Sequence, residues 1–260
     1  MPVAFSDVEA LPAASPVKEY RYGDAPSQFA RLWLPVAAES GQDFPVVVLL
    51  HGGCWLQQFG VAHMSPVAAA LTAQGFAVWA PEYRRVGEQG GGWPGTAEDV
   101  YAAISALQTV SGVDLQRVLL AGHSAGGQLA LWAASQAQAF AADGIMLKGV
   151  AGLAAITDLE AYARGSNSCE TVTPQFMGGT PEEVPEFYAA ASPARLGLQL
   201  PTILLHGSAD PLVAPSHASA VAGAEVINID GAGHFDLIHP GTEAFEAVLS
   251  VLLKLLEATP

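Results

Sequence analysis

Residues 118 to 127 read Val-Leu-Leu-Ala-Gly-His-Ser-Ala-Gly-Gly, an apolar run that passes straight into Gly122-His123-Ser124-Ala125-Gly126 before the pattern turns helical. A strand, a tight turn and a helix within so few residues put Ser124 on a strained corner. Glycines two residues to either side suit such a corner, because side chains there would collide with neighbouring backbone. The Ser124 hydroxyl is then displayed clear of the sheet. The five residues alone arise by chance in a chain with 27 glycines, so the flanking strand and helix give them their weight.

Strand-like and helix-like segments alternate along the rest of the chain. Strands are expected at 17–22, 29–34, 46–50, 76–80, 118–121, 146–151, 203–205 and 224–229, with helices at 67–74, 95–108, 124–138, 215–221 and 242–256. The later strands are uniformly apolar, as in a parallel sheet covered by helices on both faces. The first two carry Lys18, Glu19, Arg21 and Arg31 and suit an antiparallel edge with one exposed face. The sum is an α/β class, doubly wound, with a mostly parallel eight-stranded sheet. A chain of 260 residues fits one such domain. The stretch 158–200 breaks the rhythm with Gly165, a Gly178-Gly179-Thr180-Pro181 turn and several prolines. It reads either as a lid-like insertion over a site, with Phe176, Met177, Phe187 and Tyr188 as apolar contacts, or as a packed loop with a short helix.

Composition narrows the partners. Ten Lys and Arg against 25 Asp and Glu give a net charge of −15, which repels phosphate backbones and anionic lipid surfaces, so neither nucleic acid nor membrane is expected as a partner. No apolar run reaches the length of a membrane span. The first 16 residues lack a basic stretch followed by an apolar one, which gives the expectation of a cytoplasmic protein. Cys54 and Cys169 lie in no metal-binding spacing and are expected as free thiols; no metal and no cofactor are implied.

A serine nucleophile needs a base and a group to orient that base. The apolar run 202–205 leads through His206 and Gly207 to Asp210, and the run 226–229 is followed by Gly231-Ala232-Gly233-His234, so Asp210 and His234 each fall just past the carboxyl end of a strand. The order Ser124, Asp210, His234 is that of a Ser…Asp…His triad. Asp230 and Asp236 are the other candidates for the acid, although their closeness to His234 in sequence makes the orienting geometry harder. His63, His123, His217 and His239 read as structural. Backbone amides must also receive the oxyanion. The run 46–50 enters His51-Gly52-Gly53-Cys54-Trp55, whose paired glycines let the chain bend its N–H groups inward. The expected donors are the amides of Gly53, Cys54 and Ala125. His51 would brace the loop, and Trp55 either packs against it or, with Trp93, lines the substrate pocket.

With these motifs, the chain from about residue 17 to 256 resembles the α/β-hydrolase superfamily. His51-Gly52-Gly53-Cys54-Trp55 together with Gly122-His123-Ser124-Ala125-Gly126 is most similar to the esterase and kynurenine formamidase (arylformamidase) branch with its HGGxW loop, and also to the feruloyl and acetyl-xylan esterase-like group. Cys54 stands where hormone-sensitive-lipase-like esterases have a third glycine. The resemblance implies a serine hydrolase of carboxylesterase type that cleaves small esters through an acyl-enzyme. An arylformamidase acting on N-formylkynurenine-like formamides uses the same machinery and is the alternative. A non-catalytic ligand-binding protein on this fold is a third reading, in which a triad member is typically missing. A peptidase would be expected to carry a screening domain that this chain lacks.

Overall fold

A computed structural model of the chain describes residues 2–12, 15–36 and 41–258. Its frame is an eight-stranded sheet of β1 (Lys18–Arg21), β2 (Phe29–Trp33), β3 (Phe44–Leu50), β4 (Ala77–Pro81), β5 (Val113–His123), β6 (Leu147–Leu153), β7 (Thr202–Gly207) and β8 (Glu225–Ile229), ordered β1-β2-β4-β3-β5-β6-β7-β8. β2 is antiparallel to both neighbours and every other pairing is parallel. This is the α/β sheet expected from the apolar runs, antiparallel edge included. The strand ends differ by a residue or two at most places, and β5 begins earlier than expected because Val113 and Asp114 pair with Phe44 and Pro45 ahead of a register shift.

The helices are α1 (Phe5–Glu9), α2 (Ser65–Ala73), α3 (Gly95–Ser105), α4 (Ala125–Ala134), α5 (Ala137–Ala142), α6 (Leu159–Tyr162), α7 (Thr173–Met177), α8 (Pro185–Ala191), α9 (Ser216–Ser219) and α10 (Glu243–Glu257). Alternate side chains of the central strands enter two separate cores. Val46, Val48, Leu50, Val118 and Leu120 pack with α3 and α4, whereas Val47, Leu49, Leu119 and Ala121 pack with α2 and α10. Covering both faces explains why these strands are apolar throughout rather than alternating. A long helix expected over 124–138 is divided into α4 and α5 by a turn at Ser135 and Gln136. Among the described residues no helix is long and apolar enough to cross a membrane.

The stretch 158–200 holds α6, α7 and α8 and is pinned at several points. The Tyr162 hydroxyl and the Asn167 side-chain amide both donate to the Leu212 carbonyl, at 3.1 and 2.9 Å. The Phe176 ring stacks on Trp55 at 4.4 Å between centroids, and Phe176 O accepts the Trp93 N–H at 2.7 Å. Cys169 is joined to Cys54 by a disulfide across a sequence separation of 115 residues. This corrects the expectation of two free thiols. Short-range spacing has nothing to say about two cysteines that meet only when the insertion folds onto the 51–55 loop.

Several histidines are buried inside this frame. Burial drives the His63 imidazole down to about 3, with His51 nearby adding to the effect. Burial also lowers His123, with His234 adding, and lowers His206 and His217. His217 is placed to accept, its Nδ1 lying 3.2 and 3.3 Å from the Thr157 and Asp158 amides.

Unfolded in denaturant without reductant, the protein should show no thiol reactive to Ellman's reagent, and two after reduction. The Cys54→Ala/Cys169→Ala pair should lose about 2–4 kcal/mol of unfolding free energy; thiols reactive before reduction would contradict the bond. The buried imidazoles stay neutral in the folded chain, whereas unfolded histidine takes up a proton below about pH 6.5. The unfolded state therefore binds more protons there, and stability falls as pH drops below about 6.5, for His63 down to about 3, by at most about 1.4 kcal/mol per pH unit for each such histidine. The urea midpoint should be lower at pH 5 than at pH 7; a flat profile would count against neutral burial.

Candidate active site

Ser124 sits between the end of β5 and the start of α4 with φ 57° and ψ −118°. The corner is held by Ser124 N–H donating to Leu153 O at 2.8 Å and by Ser124 O accepting the Gly127 amide at 3.0 Å. A Cβ at Gly122 would sit on the Gly126 carbonyl, and one at Gly126 would sit on the Leu50 and His51 carbonyls. Close backbone approach thus requires both glycines that flank the serine.

Asp210 and His234 come together beside it. His234 Nδ1 donates to Asp210 Oδ2 at 2.7 Å, and Asp210 Oδ1 accepts the amides of Leu212 and Val213 at 2.8 and 3.0 Å. Burial pushes the Asp210 carboxyl up, but the hydrogen bond and charge of His234 and the two amides outweigh it and hold the group below the usual carboxylate range. Of the other acid candidates, Asp230 accepts from the Ser208 hydroxyl, and Asp236 Oδ2 accepts the amides of Val3 and Gly233. Neither forms a hydrogen bond with the His234 ring.

Two histidines read as structural from sequence prove to border the site. His123 donates from Nε2 to the His234 carbonyl at 2.9 Å, and the two rings lie 4.5 Å apart. His63 lines the pocket. His206, at the end of β7, donates from Nε2 to Val213 O at 2.8 Å and stands 3.6 Å from Asp210 Oδ2, which steadies the acid's turn. The apolar strand around it had masked this histidine; its place four residues before Asp210 was the available signal.

The 51–55 loop is held from below. His51 Nε2 lies 2.7 Å from Glu82 Oε1, its ring stacks on Tyr83 at 4.2 Å, and the Tyr83 hydroxyl donates to His51 O at 2.6 Å. Arg85 pairs with Glu82 at 3.1 Å and donates to Phe59 O at 2.6 Å. Burial raises the Glu82 carboxyl, and His51, Arg85 and the Val61 amide bring it below its ordinary value. Above this base Gly53, Cys54 and Trp55 take φ of 111°, 53° and 57°, a run of three residues at positive φ. The amides of Gly53 and Cys54 have no hydrogen-bond partner among the described residues. Ala125 opens α4, where an amide lacks an intrahelical acceptor.

These elements enclose a pocket of about 210 Å³ lined by Ser124, His234, Gly53 and Cys54, with Leu56, Phe59, Leu212 and Phe235 among its apolar walls. Ser168 and Cys169 bring the insertion to the same cavity, and Phe5 brings in α1. Trp55 and Trp93 do not line it. Trp55 is buried, stacked on Phe176, and donates from Nε1 to Gln128 Oε1 at 3.2 Å, while Trp93 packs edge-on against Trp132. Trp55 follows Cys54 in the run at positive φ and turns into the core, so the pocket walls fall to phenylalanines that sequence alone did not single out.

The comparisons with known proteins agree with this architecture. A Bacillus subtilis (strain 168) relative described as "Uncharacterized peptidase YtmA" is 28% identical over 223 residues, spanning 78% of this chain and 82% of that one. Esterase B from Lactobacillus rhamnosis superposes with a TM-score of 0.77 at 21% identity over 96% of this chain and 89% of its own. A truncated carbohydrate esterase from gut microbiota gives 0.78 at 19% identity over 94% and 98%. At such identities the likeness is one of fold, and the fold is that of the α/β-hydrolases. The BD-FAE family model matches residues 32–224, which include Ser124 and Asp210 and end ten residues before His234. With most of its length matched by that model, the chain belongs to the BD-FAE family.

Proposed function

We propose that the protein is a serine hydrolase that cleaves small carboxylic esters through an acyl-enzyme. The reading rests above all on the His234–Asp210 hydrogen bond beside a serine held at positive φ on the floor of one apolar pocket. In this reaction Ser124 Oγ attacks the ester carbonyl as His234 Nε2 takes its proton. The tetrahedral oxyanion is received by the amides of Gly53, Cys54 and Ala125, each of which contributes roughly 3 to 4 kcal/mol to such a transition state. Collapse breaks the carbon–oxygen bond to the leaving group, and His234 returns the proton to the departing alcohol. Water then repeats the sequence on the acyl-serine and frees the acid. Asp210 holds the imidazole in the tautomer with its proton on Nδ1 throughout.

The pocket favours the ester over the formamide alternative. N-formylkynurenine carries a free carboxylate, and no Lys or Arg is among the described residues that line the cavity. An intact Ser124, Asp210 and His234 argues against a purely ligand-binding protein. The disulfide supports work in an oxidising compartment rather than in the cytoplasm.

A fluorophosphonate should label the folded protein on Ser124, and Ser124→Ala should remove both the label and ester turnover, a fall of roughly a million-fold. Label on another residue, or turnover kept by the variant, would overturn the assignment. Offered p-nitrophenyl acetate and N-formylkynurenine in parallel, the protein should turn over the ester far faster; the reverse preference would move the reading to arylformamidase.

A further inference from the structure

One wall of the pocket is supplied by the first residues of the chain. The Phe5 ring lines the cavity and makes edge contacts with Phe59 at 5.6 Å and His63 at 5.4 Å, and a tilted contact with Phe235 at 5.4 Å. Phe59 follows the 51–55 loop and Phe235 follows His234, so the ring fills the space between the two loops that carry the proposed chemistry. A helix of five residues does not persist alone in water. α1 is fixed instead by docking: Val8 is buried in the core cluster to which α10 also contributes, and the Val3 amide donates to Asp236 Oδ2 at 2.9 Å. That same oxygen accepts the Gly233 amide at 3.0 Å, so the chain's beginning is fastened to the turn that presents His234.

We infer that Phe5 is a specificity-determining residue, whose ring closes the pocket and limits the size of the apolar group an ester may place against Phe59 and Phe235. The inference rests on the ester-hydrolase reading of the same site. Phe5 is far from every motif of that site in sequence and touches no reacting atom; it acts through volume. Removing the ring opens space for a longer substrate arm, and each methylene newly buried there raises kcat/KM by roughly fourfold. A larger ring takes space away.

The test is kcat/KM for wild type, Phe5→Ala, Phe5→Leu and Phe5→Trp on two ester series. One lengthens the acyl group from p-nitrophenyl acetate to butyrate to octanoate, and the other enlarges the leaving group from phenyl to naphthyl acetate. In one series at least, Phe5→Ala should raise the ratio of large to small substrate roughly tenfold or more, with Phe5→Leu intermediate and Phe5→Trp lowering it. The series that responds identifies which arm of the ester meets Phe5. A purely structural residue would scale all substrates together, so unchanged ratios in both series, with wild type active, would overturn the inference and leave the ester reading standing. Wild type inactive on every ester would remove both. Thermal unfolding of each variant separates misfolding from changed selectivity, and if Phe5→Ala does not fold, the opposed shifts of Phe5→Leu and Phe5→Trp decide the matter.

Discussion

The site depends on the backbone of Ser124. A non-glycine residue at positive φ costs of order 1–3 kcal/mol and persists only where its surroundings over-determine it. Here the surroundings are the ends of the central strands. Leu153 O takes the Ser124 amide, α4 begins at the next residue, and the glycines at 122 and 126 let the chain close on itself. The sheet supplies this hold because β5 is central and covered on both faces, so the corner cannot relax without disturbing two cores. Strain at Ser124 is therefore a property of the whole α/β frame.

The same logic applies to the 51–55 loop, where Cys54 and Trp55 also take positive φ. Their support is polar, covalent and aromatic. Glu82, His51 and Arg85 form a buried hydrogen-bonded group beneath the loop, and the disulfide and the Trp55–Phe176 stack tie it to the insertion above. The buried Glu82–Arg85 ion pair adds little net stability, because desolvation offsets the attraction, but losing either partner leaves an uncompensated charge. Its contribution is to fix one conformation of the amides.

Much of the frame was legible in the sequence because its signals are local. Uniformly apolar runs marked the covered strands, Lys18, Glu19 and Arg31 marked the exposed edge, and a turn after each of three strands marked Ser124, Asp210 and His234, which the fold brings into one place. What escaped is whatever arises only when distant segments meet. Cys54 and Cys169 carry no spacing signature, α1 is too short to show a periodicity, and Phe5 reads as an ordinary apolar residue until it reaches Phe59 and Phe235. Trp55 stayed open between packing and a pocket wall for a related reason: a large aromatic after two glycines suits either, and in the structure it lies in the core against Gln128. Aromatic identity does not tell which side of a strained loop a ring will take.

The absence of Lys and Arg from the described lining of the pocket bears on turnover as well as on selection. On the proposed reading, the reaction makes an anion from a neutral ester. A carboxylate formed there would meet the oxyanion amides, but no Lys or Arg among the described lining residues and a protein of net charge −15 around it. On that reading the acid would be held less well than the ester it came from. The chemistry itself drives the product toward solvent, and inhibition by accumulated acid should be weak in a site built this way.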